Sequence, residues 1–266
     1  VFCCFFSCQE KTNDSDVSAK ISEKDAFVEL SETLNRFNDT YGINKETKGW
    51  VRKTLLSDLS GFFWGSLVHP GIGLFTGIGA SVLCFPFFYI SRDEAEDSGI
   101  SLNQKAMIPT DGPLSEYNDF GYIHNSIIMK LYEEDNTFSY TWSREKLFDR
   151  IDYWLRFYPR RYQQVDREKF NEIIDNVIAM RSMSIDDTFE SLSQKAPDKR
   201  EELQIIKEYC LSLDAIENAQ TLEQYTKGFN DIVWNSDITD ESKETIISSV
   251  SVAGNSCLLW EEKYAD

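Results

Sequence analysis

The sequence predicts an all-α protein, a multi-helix orthogonal array or bundle of about nine to ten helices around a glycine-rich helical hairpin. Apolar residues recur at spacings of three and four along most of the chain, and no segment shows the convincing alternation of a strand. Ser, Asp and Asn residues precede many of these segments, which is where helix caps stand. With 41% hydrophobic and 14% aromatic residues, the chain has enough apolar material for a packed interior.

The spacing of apolar residues sets the order of the helices. A first helix follows Ser22 and closes at Gly42, where a glycine can adopt the left-handed conformation that ends it. A second helix starts near Thr47 and runs into an apolar segment that Pro70 and Pro86 interrupt. Later helices are predicted to start at Asn118, Ser143, Asp166, Ile185, Pro197, Thr221 and Thr239.

The apolar segment from Leu59 to Ser91 is the feature around which the fold is predicted to form, because it contains no Asp, Glu, Lys or Arg. Such a segment must be buried in protein or in lipid. Its glycines, and a stripe of small residues on the last helix, have the spacing at which helix backbones pack closely. These predicted packing residues are Gly61, Gly65, Gly73, Gly77, Ser249, Ala253 and Ser256. We expect a core hairpin packed against the last helix; insertion into a membrane or oligomerisation is the alternative.

The first eight residues, VFCCFFSC, are a different kind of sequence. They resemble the hydrophobic end of a bacterial lipoprotein signal, with Phe5, Phe6 and Ser7 before Cys8, and this resemblance makes Cys8 the lipidated residue. The polar run that follows has the composition of a flexible tether. The alternative is an apolar N-terminal helix. A lipid on Cys8 would connect the protein to a membrane of the bacterial cell envelope, on the outer membrane or the periplasmic face.

Domain boundaries follow from these features. Residues 1–8 are the signal remnant with the lipidation cysteine, and residues 9–21 are the tether. Residues 22–91 hold the N-terminal helices and the apolar hairpin. Residues 92–117 contain several Pro and Gly residues and are predicted to be an irregular linker. Residues 118–266 form a C-terminal helical region that we expect to fold as one unit with residues 22–91.

Charge and residue types exclude several classes of function. The formal net charge of −18 argues against non-specific binding to nucleic acid or to anionic lipid surfaces, and leaves a protein partner open. The chain has only two histidines, too few for a His-rich metal site. Its glycine runs lack the spacing of dinucleotide and phosphate loops. The sequence therefore predicts no metal and no cofactor.

Two further residue types are assigned structural roles. The cysteines beyond the signal, Cys84, Cys210 and Cys257, are odd in number and have no C-x-x-C spacing, so we expect buried free thiols. The run YPRRY combines two arginines with two tyrosines in a protein that is acidic overall. Its Arg160 and Arg161 could bind a carboxylate or a phosphate, and pairing with acidic neighbours across a helix junction is the favoured interpretation.

His124 and Asn125 are the best candidates for a functional pair, because Tyr117 and Asp119 are near in sequence and could orient the imidazole. The structural interpretation is that both side chains instead cap the start of their helix and tie it to the preceding loop. The other histidine, His69, is expected to be a hydrogen-bonded turn residue.

The run GYIHNSII, the glycine-rich segment before it and VSVAGNSCLLW near the C-terminus resemble a group of uncharacterised exported bacterial proteins. The resemblance implies no activity. We therefore expect an envelope-anchored lipoprotein that binds or scaffolds, with no catalytic residue. Two alternatives stay open: a membrane-active or pore-forming protein that uses the hairpin, and a hydrolase centred on His124.

Overall fold

The computed structural model of the chain describes residues 14–43, 53–84, 108 and 115–260. These residues form eleven α-helices and two short 3₁₀ helices and contain no strand, which confirms the predicted all-α array. The α-helices are α1 (Asp14–Thr40), α2 (Lys53–Ser66), α3 (Pro70–Cys84), α4 (Ser115–Glu134), α5 (Phe138–Thr141), α6 (Arg144–Leu155), α7 (Arg167–Met180), α8 (Ile185–Lys195), α9 (Arg200–Ser212), α10 (Ala219–Trp234) and α11 (Asp240–Trp260). Ten of them have seven or more residues, and α5 is a single turn that the sequence analysis did not predict.

Three helices begin earlier than the sequence predicts, among them α10, which starts at Ala219 rather than at Thr221. α1 starts at Asp14, so residues 14–21 of the predicted tether are helical. This run contains no Gly or Pro, and nothing in it stops a helix that the apolar stripe downstream has established. α4 starts at Ser115 rather than at Asn118, so residues 115–117 of the predicted linker are helical too. Serine is as good a residue as asparagine at a helix start, which made the boundary ambiguous.

Other helix ends lie where the sequence predicts them. The Ser143 hydroxyl accepts a hydrogen bond from the Lys146 backbone N–H at the start of α6. The Asp166 carboxylate accepts one from the Glu168 backbone N–H, at 2.8 Å, at the start of α7. After α1, Gly42 has a φ of +66°, the left-handed conformation that favours glycine at a helix end.

α2 and α3 form the predicted glycine-rich hairpin. Pro70 is the first residue of α3, where its missing N–H costs no helical hydrogen bond. In the turn between the helices, His69 Nδ1 accepts a hydrogen bond from the Gly71 backbone N–H at 3.0 Å. Across the hairpin, the Thr76 hydroxyl donates to the Gly61 carbonyl oxygen at 2.6 Å. None of the described helices is long and apolar enough to cross a membrane.

The two hairpin helices approach each other so closely that glycine is required at the contacts. A Cβ on Gly61 would lie 2.7 Å from the carbonyl oxygen of Thr76. A Cβ on Gly73 would lie 2.5 Å from the carbonyl oxygen of Phe62, and one on Gly65 would lie 2.7 Å from the Gly73 backbone. Because backbone atoms cannot rotate away as a side chain can, any larger residue would push the helices apart.

The hydrophobic core consists of two clusters with α2 and α11 between them. Residues of α1, α8, α9 and α10 belong to one cluster, and residues of α3, α4, α6 and α7 form most of the other. Both α2 and α11 contribute to the two clusters. In α11, every residue from Ile246 to Trp260 is buried. A helix enclosed on all sides must pair its polar side chains with its neighbours, and this requirement creates the cluster described below.

Two substitutions in α3 test whether the backbones of α2 and α3 are in direct contact: Gly73 lies against backbone of α2, and Gly77 lies against a side chain. Gly73→Ala is expected to lower the free energy of unfolding by about 3 kcal/mol, because the new methyl group meets the Phe62 backbone. At Gly77 the nearest atom to a new Cβ is 3.2 Å away and belongs to a side chain. Gly77→Ala is therefore expected to stay within about 1 kcal/mol of wild type, since alanine favours the helix. Urea denaturation measures both, and equal losses would contradict the close approach.

Candidate functional site

A cluster of polar side chains lies at the junction of α2, α4 and α11. Asp58 of α2, His124 of α4 and Ser256 of α11 are each between 0 and 1% exposed. The Ser256 hydroxyl donates a hydrogen bond to Asp58 Oδ2, and His124 Nε2 lies 3.9 Å from the same oxygen. Three helices that are distant in sequence therefore meet at one carboxyl group.

A chain of hydrogen bonds that starts on α11 sets the orientation of the His124 ring. The carbonyl oxygen of Asn255 accepts a hydrogen bond from Asn125 Nδ2 at 2.7 Å. This directs Asn125 Oδ1 toward His124 Nδ1, which lies 3.0 Å away. Because an amide oxygen can only accept, Nδ1 carries the proton of the neutral imidazole. Nε2 is then a bare acceptor on the side of the ring that faces Asp58.

Burial decides the charge of both titratable groups. It raises the pKa of the Asp58 carboxyl from 3.8 to about 8, and the hydrogen bond from Ser256 opposes this shift only in part. It lowers the pKa of His124 from 6.5 to about 4, against the opposing hydrogen bond with Asn125. At neutral pH the two groups thus face each other as a carboxylic acid and a neutral imidazole. They do not form a hydrogen bond at 3.9 Å, and His124 Nε2 has no hydrogen-bond partner among the described residues, but neither group places a charge in the core.

The cluster differs from a catalytic triad in access and in connectivity. All three side chains are sealed from solvent, so a substrate would have to separate the helices to reach them. The Ser256 hydroxyl bonds to the carboxyl group, whereas in a triad the imidazole lies between the nucleophile and the acid. The cluster connects α11 to α2 through Ser256 and Asp58, and α11 to α4 through Asn255 and Asn125. All of these hydrogen-bonding groups are uncharged.

The structure places the predicted packing residues in helix interfaces. Between α2 and α3 lie the four glycines Gly61, Gly65, Gly73 and Gly77. On α11, the small residues Ser249, Ala253 and Ser256 are all buried. Of these, Ser256 reaches the hairpin directly through Asp58. Cys8, the predicted lipidation site, lies outside the described residues.

His124 and Asn125 do not cap a helix, and the capping interpretation is wrong. α4 begins at Ser115, so both residues lie in its middle. Asn125 donates from Nδ2 to the Asn255 carbonyl oxygen and so connects α4 to the last helix. The capping interpretation was based on a helix start at Asn118, which would have put His124 and Asn125 within two turns of the helix terminus.

Asp58, the residue at the centre of the cluster, was not predicted from the sequence. A signal was present: Asp58 stands three residues after Leu55 and four before Phe62, which puts a carboxylate on the apolar face of α2. It also directly precedes the uncharged segment that begins at Leu59. A carboxylate in that position has to be exposed at a bend or buried with a partner.

A separate feature is a cleft of about 800 Å³ between the end of α1, the start of α8 and α9. Among its lining residues are three carboxylates, on Asp39, Asp186 and Glu208, and one ammonium group, on Lys207. Lys207 Nζ pairs with Asp186 Oδ1 at 2.5 Å. The volume is within the range of small-molecule sites, and the described lining residues carry an excess of negative charge.

The floor of the cleft contains hydrogen-bond acceptors that are not saturated. From the described residues, Glu208 Oε1 accepts two long hydrogen bonds of 3.4 Å, from the Ser31 hydroxyl and from Gln204 Nε2. Glu208 Oε2 and Asn35 Oδ1 are buried and have no donor among the described residues. A ligand that supplies donors would complement these oxygens better than one that supplies acceptors.

Cysteine and metal chemistry add no further site within the part of the chain that the structure describes. Cys84, Cys210 and Cys257 are buried free thiols, and burial raises the pKa of Cys84 to about 11. No group of three His, Cys, Asp or Glu side chains among the described residues is arranged to hold a metal ion. Comparisons of the chain with protein-family models, with curated proteins and with solved structures found no match.

The buried acid should make stability fall between pH 6.5 and 8. Asp58 has a folded pKa above its unfolded value, so its contribution is full below pH 3.8 and is lost as the pH rises through 8. His124 has a depressed folded pKa, so its contribution is present above pH 6.5 and is lost as the pH falls through 4. The two opposite slopes cancel between about pH 4 and 6.5. Above that, Asp58 alone should lower stability by about 2 kcal/mol up to pH 8.

Asp58→Asn should abolish this pH dependence, because an amide accepts from Ser256 and donates toward His124 without titrating. Urea denaturation at pH 6.5, 7, 7.5 and 8 is expected to show a flat profile for the variant and a falling one for wild type. Cys84 stays neutral over this range. Asp175→Asn, at an exposed carboxylate, should keep the wild-type slope. A slope that persists in Asp58→Asn would contradict the assignment.

Proposed function

We propose that this chain is the folded part of a lipid-anchored protein of the bacterial cell envelope, and that it acts by binding rather than by catalysis. One contrast supports binding over catalysis. The histidine that could act as a general base is sealed in the core, whereas a cleft of ligand size opens to solvent. The lipid anchor rests on the resemblance of the first eight residues to a lipoprotein signal ending at Cys8.

The cleft between α1, α8 and α9 is the proposed binding place for a small ligand, and its chemistry favours a cation. Lys207 is paired with Asp186, so the carboxylates of Asp39 and Glu208 have no basic partner among the described lining residues. Buried acceptor oxygens of Asn35 and Glu208 lack donors among the described residues. An organic ammonium or guanidinium group brings both the charge and the donors that these oxygens accept.

The two other functions considered from the sequence have less support. A pore built from the hairpin would have to expose glycine faces that α2 and α3 use to pack against each other. α3 also has only 15 residues, which is about 22 Å of helix against about 30 Å of hydrocarbon. A hydrolase centred on His124 would need access to a side chain that is 0% exposed.

The anchor is tested by labelling cells that produce the chain behind its own signal with a fatty acid analogue. Wild type is expected to incorporate the label, and Cys8→Ala is expected to incorporate none, because the thiol is the only acyl acceptor in the motif. Cys4→Ala serves as the matched control, since it changes a cysteine of the same segment without touching the acceptor. Equal labelling of wild type and Cys8→Ala would refute the anchor.

The cleft is tested by isothermal titration calorimetry with spermidine as a cationic probe. Binding to wild type is expected, and Gln204→Trp, which fills the cleft from its exposed rim, should weaken it by about tenfold or more. Gln220→Trp is the matched control, because it puts the same side chain on an exposed helix position outside the cleft. Equal heats for both variants, or a signal that sodium chloride of matched ionic strength reproduces, would show only general attraction to an acidic surface.

A further inference from the structure

The first helix, α1, lies on the rest of the protein along an apolar stripe that has a cleft on each side. Phe27, Leu30 and Leu34 of this stripe are buried in the core cluster to which α9 and α10 contribute. Ala26 lines a cleft of about 320 Å³ beside α10, and Asn35 lines the cleft of about 800 Å³ beside α9. These two residues are half a turn apart around the helix axis. The buried contact of α1 is therefore confined to the stripe, and such elements open more easily than a core.

In the larger cleft, α1 and α9 both present hydrogen-bond acceptors. The Ser31 hydroxyl of α1 donates to Glu208 Oε1 of α9 across a long distance of 3.4 Å. Asn35 follows Ser31 by one helical turn on the same side of α1, and both Asn35 and Glu208 line the cleft. Asn35 Oδ1 and Glu208 Oε2 are buried, and no described residue donates to either oxygen. A donor placed between them would therefore join the two helices.

The end of α1 adds negative charge at this junction. The C-terminus of a helix carries a partial negative charge, and the last turn of α1 has no basic residue to oppose it. The same turn contributes the Asp39 carboxylate to the cleft, where α9 contributes the Glu208 carboxylate. Charges of the same sign on two helices repel each other. A cation between them would replace this repulsion by two attractions.

The basic side chains that stand beside these residues in the sequence are engaged elsewhere. Lys207 Nζ pairs with Asp186 Oδ1 at 2.5 Å, which connects α9 to α8. Arg36 Nη2 donates to the Thr33 hydroxyl at 3.0 Å, within α1 itself. Neither side chain bridges α1 and α9, so this bridge is a role for a bound cation.

We propose that the cationic ligand of this cleft clamps α1 onto α9. The clamp rests on the proposed function, because the bridging group is the same ammonium or guanidinium group. Its N–H groups donate to Asn35 Oδ1 on one helix and to Glu208 Oε2 on the other, and its charge lies near Asp39. When α1 is detached, only half of the site is present. The ligand therefore binds the docked state more tightly and shifts the equilibrium toward it.

The clamp gives the ligand a regulatory effect. α1 is the first described helix after Cys8, the proposed site of the lipid. A ligand that fixes α1 to α9 therefore fixes how the rest of the protein is held next to a membrane anchor. The clamp itself does not require the lipid, since every group in it belongs to α1, to α9 or to the ligand.

Hydrogen–deuterium exchange of the full chain tests the clamp, with spermidine at about 100 times its dissociation constant. The amides of residues 26–40 in α1 are expected to exchange at least about tenfold more slowly, with a ceiling of about 100-fold set by mass action. Those of α6, which belongs to the other core cluster, should slow by less than about twofold. Tetramethylammonium chloride at the same ionic strength is the matched control, because this cation has charge but no N–H. It is expected to leave α1 unchanged.

Calorimetry on the same samples separates the clamp from the cation site. Absence of spermidine binding would refute the cation site and the clamp with it. Binding that leaves the exchange of α1 unchanged, or that slows α1 and α6 equally, would overturn the clamp alone. Equal protection of α1 by tetramethylammonium would also overturn it, because the bridge depends on donated hydrogen bonds.

A lysine in the cleft should imitate the ligand. Asn35→Lys places an ammonium group beside Glu208, and the cleft that Asn35 lines has room for the longer side chain. Without ligand, α1 is expected to exchange about tenfold more slowly than in wild type, and spermidine binding should weaken by about tenfold or more. Glu32→Gln is the matched control, because it makes the same change of net charge at an exposed position of α1. Equal slowing in both variants would contradict the clamp. If Asn35→Lys does not fold, the wild-type exchange experiment decides.

Discussion

The structure depends on how closely the helix backbones of its centre approach one another. Gly61, Gly65 and Gly73 bring α2 and α3 to a separation that leaves no room for a Cβ. Gly121 does the same between α4 and α11, where a Cβ would lie 2.6 Å from the Ser251 carbonyl carbon. Because these helices lie so close, short side chains such as those of Ser, Asn and Asp can reach from one to the next. Larger residues would exclude the polar cluster as well as separate the helices.

The polar cluster shows how a buried helix can carry polar residues without a buried charge. α11 is enclosed from Ile246 to Trp260, and its Ser256 and Asn255 bond to α2 and to α4 respectively. Burial keeps Asp58 protonated and His124 neutral, so the contact avoids the cost of desolvating two ions. The same burial keeps any substrate away from the cluster.

Among the described residues, a surface cleft remains for function. The cleft at α1, α8 and α9 is polar, and its described lining residues carry more carboxylates than ammonium groups. It lies beside the core cluster to which α1, α8 and α9 contribute, whereas the buried polar cluster lies where α2, α4 and α11 meet.

The sequence by itself determined the helices and the core hairpin, because apolar spacing, capping and glycine spacing act between neighbours in the chain. Ser143 and Asp166 cap the helices that the sequence assigns to them. The predicted start of α4 at Asn118 is three residues late, because Ser115 and Asn118 are both residues that favour a helix start. Only the tertiary structure decided the roles of Asp58 and His124. The serine that binds Asp58 is 198 residues away in the chain, and the protonation of a carboxyl group follows from the helices that bury it, which no local pattern specifies.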